Sequence, residues 1–210
     1  MSNLKKFTIE KNRFLSQDIQ GYYRYEHYGY HDNRTPKYIN TLKNDFNNTN
    51  QWELRKAAQE LHNGLIDEII EIGENIEYPA VICIVPRSKV MADFDDNQLQ
   101  FFYTIKKAIN HFADESDGTN YIIRYKNTRT THLNKSGYGG DGALPYPGIA
   151  QDTCHFSPEI KGKNILLIDD LYTKTVNIIE DMAQALLNNG AKSVTVFAIG
   201  YNMPKSNNHT

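Results

Sequence analysis

Long apolar runs are missing from this chain. No segment approaches the ~20 apolar residues that a membrane-spanning helix needs. The opening Met-Ser-Asn-Leu-Lys-Lys-Phe leads into alternating polar and apolar residues and carries no apolar export block, so a cytoplasmic protein without a membrane partner is expected. Cysteine is scarce as well. The two in 210 residues, Cys83 in an apolar run and Cys154 in a loop, are too few for a disulfide framework in a chain long enough to bury its own core, and reduced thiols are expected. Neither sign of charge dominates: 23 Lys and Arg against 25 Asp and Glu give a net charge of −2. That argues against a strongly basic nucleic-acid surface, although it leaves room for a local patch. The seven histidines are scattered, no spacing matches a metal-ligand motif, and no internal repeat is visible. The only tryptophan, Trp52, falls on the apolar stripe of a helical segment and is expected in the core.

Tyrosine, by contrast, is abundant: there are fourteen, and six of them crowd the first forty residues. Residues 5 to 28 read as extended, with Phe7, Ile9, Phe14, Leu15 and the run Gly21-Tyr22-Tyr23-Arg24-Tyr25-Glu26-His27-Tyr28 suggesting an antiparallel flap. Arg34 to Lys43 reads as a short helix opened by Pro36, with Tyr38, Ile39 and Leu42 inward and Lys37 and Lys43 outward. From Gln51 to Ile72 the apolar spacing predicts one long helix stopped at Gly73. Pro79 to Val85 reads as a strand covered on both faces, and Asp96 or Asn97 caps a further helix. Thr119 to Tyr125 follows as a strand. The hydrophobic signal then stops from Lys126 to Lys163, an interval holding the glycine-rich Ser136 to Gly142; a loop of this length is expected to be either disordered or a functional lid, and the glycines would let it close over a ligand.

The clearest signal comes later. Ile165-Leu166-Leu167-Ile168 is too short for a helix but suits a central strand buried on both faces. Asp169 and Asp170 follow at once, then Leu171-Tyr172-Thr173-Lys174-Thr175-Val176-Asn177, then apolar residues at helical spacing as far as Asn188-Asn189-Gly190, a helix stop. Ser193 to Ile199 is the last strand. Alternating strands and helices predict an α/β fold, a mostly parallel twisted sheet flanked by helices with a small N-terminal hood or flap. The divisions expected are 1–48 for the hood, 49–203 for the core and 204–210 for a frayed tail. In such a sheet the loops at the carboxyl ends converge. Asp169 and Asp170 would then supply acceptors for hydroxyls or hydrated magnesium, the loop and helix N-terminus after them donors for a phosphate, and Arg87-Ser88-Lys89 a second anion contact.

The run from Ile165 to Thr173 resembles the phosphoribosyl-pyrophosphate signature of type I phosphoribosyltransferases. The stand-alone ComF-like branch is the nearest in character, through Tyr23-Arg24-Tyr25, the basic segment Lys37 to Lys43, and Val85-Pro86-Arg87-Ser88-Lys89. The resemblance implies that Asp169 and Asp170 bind the ribose hydroxyls and approach Mg2+ indirectly. It further implies that Thr173, Lys174, Thr175 and Asn177 hold the 5-phosphate, and that Arg87, Ser88 and Lys89 face pyrophosphate. Arg129 and Lys135 would contact the leaving group from the lid, Arg129 to Gly142. Where the family has threonine, glycine and a final threonine, this chain has Lys174, Thr175 and Asn177. A lost glycine implies strain of about 1–2 kcal/mol if a left-handed backbone is kept there. The expected activity is transfer of a phosphoribosyl group, with magnesium, to an acceptor that the sequence does not name. The alternatives are a nucleotide- or metabolite-binding regulatory module that has lost turnover, and the effector of a bacterial phage-defence assembly of the retron type. A homo-oligomer, and a protein or nucleic-acid partner in a larger assembly, stay open.

Overall fold

The four aliphatic residues before the acidic pair alternate between two apolar layers. Ile165 and Leu167 pack into one, with Val81, Cys83, Val194 and Val196; Leu166 and Ile168 pack into the other, with Ile82, Ile84, Phe197 and Ile199. A strand that buries both faces needs helices above and below it, and they are present. The computed structural model, which describes residues 4–77, 80–129 and 150–204, is an α/β structure with a mixed, mostly parallel five-stranded sheet. Its strands are β1 (Lys5–Ile9), β2 (Ile19–His27), β3 (Ala80–Ile84), β6 (Asn164–Tyr172) and β7 (Ser193–Asn202). They lie in the order β1-β2-β7-β6-β3, all parallel except β1.

Helix α6 (Ile178–Asn188) covers one face through Ile179, Met182, Ala183 and Leu186. The other face is covered by α1 (Lys37–Lys43), α2 (Gln51–His62), α3 (Leu65–Gly73) and α4 (Gln100–Ile109). The antiparallel pair expected near the N-terminus is β1 with β2, and β2 pairs in turn with β7, so both strands extend the main sheet. Part of the tyrosine excess is explained here. Phe7, Tyr23, Tyr172 and Tyr201 form one cluster with ring centroids 4.9 to 5.8 Å apart, one ring from each of β1, β2, β6 and β7.

Three sequence expectations are corrected. The single helix from 51 to 72 is two, α2 and α3, broken at Gly64, whose φ of +78° is open to glycine at little cost. Trp52 is not core: it is 66% exposed in the first turn of α2, with Lys56 Nζ 5.8 Å from its ring centroid. The strand around Ile122 does not join the main sheet. Instead β4 (Ile122–Arg124) pairs antiparallel with β5 (Cys154–Phe156), which follows the short helix α5 (Ala150–Thr153). Asp117 bridges to Ile82 and Gly118 donates to the Ile82 carbonyl, so that edge of β3 is already engaged before β4 begins. Among the described residues no helix is long and apolar enough to cross a membrane.

Candidate functional site

β6 ends at the carboxyl edge of the sheet, and its last four residues carry both aspartates. The Asp170 amide donates to Asp169 Oδ1 at 2.8 Å. Burial, then the charge of Asp170, pushes the Asp169 carboxyl well above its ordinary range, against the Asp170 amide and Lys43, which pull it down. Asp170 meets Lys43 Nζ at 3.3 Å.

Lys43 is the residue that sequence reasoning missed. Helical spacing put it on the outward face of α1, but it ends the helix, and there a long side chain can wrap across the terminus. Its main-chain carbonyl does a second job by accepting Arg87 Nη1 at 2.7 Å. The acidic loop after β6 and the cationic loop after β3 are therefore tied to one residue. Asn44, left-handed at φ 38°, turns the chain after α1, and Asp45 then receives Arg87 Nη2 at 2.7 Å.

Arg87 is thus committed to protein groups. Besides Lys43 and Asp45 it donates to the Gln98 carbonyl at 2.6 Å and lies over the Phe94 ring at 4.6 Å. The rest of its loop is pinned by the segment after β4. Thr128 donates through N at 2.6 Å and through Oγ1 at 3.0 Å to the Ser88 carbonyl, and Val90 N donates to Asn127 Oδ1 at 2.8 Å. Lys89 is exposed. Arg129 follows Thr128 directly, half-buried, with an Nε that has no partner among the described residues. Lys135 and the glycine-rich Ser136 to Gly142 lie outside the described residues.

No family model and no curated protein sequence matches this chain. The site therefore rests on its own geometry.

The loop after β6 is a tight turn closed by Val176 N donating to the Thr173 carbonyl at 3.0 Å. Thr175 is not left-handed. The positive φ falls on Asn177, at 58°, so the missing glycine leaves no strain at Thr175, and asparagine tolerates the conformation better than most residues. The loop's side chains face the turn after β1: Lys174 Nζ meets Glu10 Oε2 at 3.2 Å and Asn12 Nδ2 donates to Asn177 Oδ1 at 2.9 Å. Thr173 is half-buried and Thr175 exposed. Behind the acidic pair, Arg24 binds Glu68 through Nε and Nη2 and also donates to Tyr38 Oη at 2.9 Å and the Leu61 carbonyl at 3.0 Å. That buried ion pair fixes β2 against α1, α2 and α3. The sheet edge thus carries two polar groupings, Asp169-Asp170-Lys43-Arg87 towards α1 and Lys174-Asn177 towards the β1 turn.

Proposed function

We propose that this chain binds phosphoribosyl pyrophosphate, or a related ribose phosphate, at the carboxyl edge of its parallel sheet and transfers the phosphoribosyl group to an acceptor. The observation that carries the reading is Lys43, whose ammonium meets Asp170 and whose carbonyl meets Arg87, so the acidic and cationic loops share one edge. The resemblance of Ile165 to Thr173 to the type I phosphoribosyltransferase signature supports the same assignment. In this reading Asp169 and Asp170 accept hydrogen bonds from the ribose hydroxyls and orient the anomeric carbon. The amides at the α6 N-terminus, with Thr173, Lys174, Thr175 and Asn177, hold the 5-phosphate. Ser88 and Lys89 face the pyrophosphate, and Arg87 holds their loop in place. Magnesium, when bound, supplies positive charge to the leaving group. The two adjacent carboxyl groups at the end of β6 are hard oxygen donors that a hydrated divalent cation suits, and its charge would favour their ionised forms. Catalysis then rests on positioning and charge, without a covalent nucleophile.

Isothermal titration with phosphoribosyl pyrophosphate and magnesium tests the reading. Saturable binding by the wild type that is lost in Asp169→Asn/Asp170→Asn supports it; no binding by the wild type at millimolar ligand rejects it.

A second reading is a binding module without turnover. It is favoured by the loop after β6, where Lys174 and Asn177 already bond to Glu10 and Asn12. Tight ligand binding with no pyrophosphate release across a panel of acceptors would select it over the transferase.

A further inference from the structure

The α6 side of the β6–α6 loop holds a buried carboxyl with one oxygen unmet among the described residues. Glu180, in the first turn of α6, is 1% exposed. Its Oε1 accepts the Tyr172 hydroxyl at 2.9 Å, while Oε2 is buried with no hydrogen-bond partner among the described residues. Burial pushes this carboxyl above its ordinary range, with a bond from its own amide, the Tyr172 bond and the charge of Lys174 pulling the other way. An unmet buried acceptor is an expensive feature of a folded protein, and here it borders a cavity.

The cavity measures about 210 Å3 and is lined by Glu180 and Tyr172 together with Glu10, Lys11, Asn12, Lys174 and Asn177. That is room for about seven water molecules, enough for a small metabolite and too little for a nucleotide. Most of its polar groups cancel in pairs, Lys174 with Glu10 at 3.2 Å and Asn12 with Asn177 at 2.9 Å. Two ionisable groups make no ion pair among the described residues, although the charge of Lys174 reaches Glu180. On the inside is the Glu180 carboxyl; on the outside is Lys11, exposed and without an ion-pair partner among the described residues. A buried anion and a rim cation across a space this size complement a molecule with an ammonium at one end and an anion at the other.

We propose that this cavity binds a small zwitterion of the α-amino-acid class, its ammonium donating to Glu180 Oε2 and its carboxylate facing Lys11. A water molecule would satisfy Oε2 as an acceptor; an ammonium would satisfy it and add to the positive charge of Lys174 that already reaches the carboxyl. The site is distinct from the acidic pair: Asp170 is engaged from α1 through Lys43, whereas this cavity opens against the turn after β1. It shares Lys174 and Asn177 with the loop assigned to phosphate, so an occupant here also touches that loop.

Calorimetric titration of the full chain with glycine, L-serine and ethanolamine tests the proposal, with propionate and inorganic phosphate as controls. Saturable binding of glycine or L-serine, weaker binding of ethanolamine and none of propionate is the expected pattern. Glu180→Gln should weaken L-serine at least tenfold, and Lys11→Ala should weaken L-serine without altering ethanolamine. Asp170→Asn should leave L-serine binding intact, which keeps this result separate from the fate of the ribose-phosphate reading. Absence of amino-acid binding overturns the proposal, as does equal L-serine affinity in Glu180→Gln, or phosphate binding where L-serine does not. Should Glu180→Gln fail to fold, the Lys11→Ala comparison decides: equal loss or no loss for both amines overturns the assignment.

Discussion

Asp169 shows how a residue assigned to binding can work against the fold that holds it. Its carboxyl is raised by burial and by Asp170, so the folded chain holds that proton more tightly than the unfolded chain. The associated stability is fully present below the ordinary aspartate range and is lost as pH rises through the raised folded value. Asp169→Asn is therefore expected to raise the melting temperature at pH 7, with the gain shrinking towards pH 4; thermal melts across that interval check it, and a melting temperature lowered at pH 7 would contradict it. The Arg24–Glu68 pair behaves differently, because both ions are buried and bonded to each other. Removing one partner, as in Arg24→Met, is expected to cost about 3–5 kcal/mol, whereas Arg24→Met/Glu68→Leu together should recover most of that loss. Denaturant titration of the three variants measures it. Trp52, at 66% exposure, should be readily quenched by acrylamide in the native protein, and its emission should shift little on unfolding.

Among the elements, close approach sets the tightest limits. A Cβ on Gly118 would stand 2.5 Å from Val81 Cγ1, 2.8 Å from Cys83 Sγ and 3.0 Å from the Ile82 carbonyl oxygen, where backbone cannot retreat. Gly118→Ala is expected to destabilise by about 1–3 kcal/mol, while Gly73→Ala, with nothing within 4 Å of the added carbon, serves as the neutral comparison in the same denaturant assay. The strands buried on both faces were readable because four consecutive aliphatic residues leave no other soluble arrangement of that length. The break at Gly64 was not, because Leu61, Leu65, Ile66 and Ile69 keep a helical spacing across it and both helices bury them on the same side. Trp52 misled for a related reason, since periodicity gives the face of a helix but not whether the core reaches its first turn. At the site, the acidic pair and the Arg87 loop were legible as motifs. The clamp of Lys43, Asp45 and Gln98 on Arg87 was not, because two of its three acceptors are main-chain carbonyls that any residue could supply, and the third, the Asp45 carboxylate, lies far from Arg87 in sequence.

For the molecule as a whole, chain order and sheet order disagree in an informative way. β7 is the last of the five strands along the chain, yet it lies in the middle of the sheet, between β2 and β6. Tyr22 pairs with Phe197, and Gly21 with Val196, so the early strands find their neighbour only near the end of the sequence. Such distant pairing slows folding relative to local contacts. During translation the β1–β2 pair leaves the ribosome with one edge open and must wait for β7. A nascent chain stalled before Ser193 is thus expected to stay protease-sensitive, and its release with β7 complete to confer protection. Until that moment the exposed edge of β2 is a surface on which a chaperone, or a second unfinished chain, can compete with the protein's own last strand.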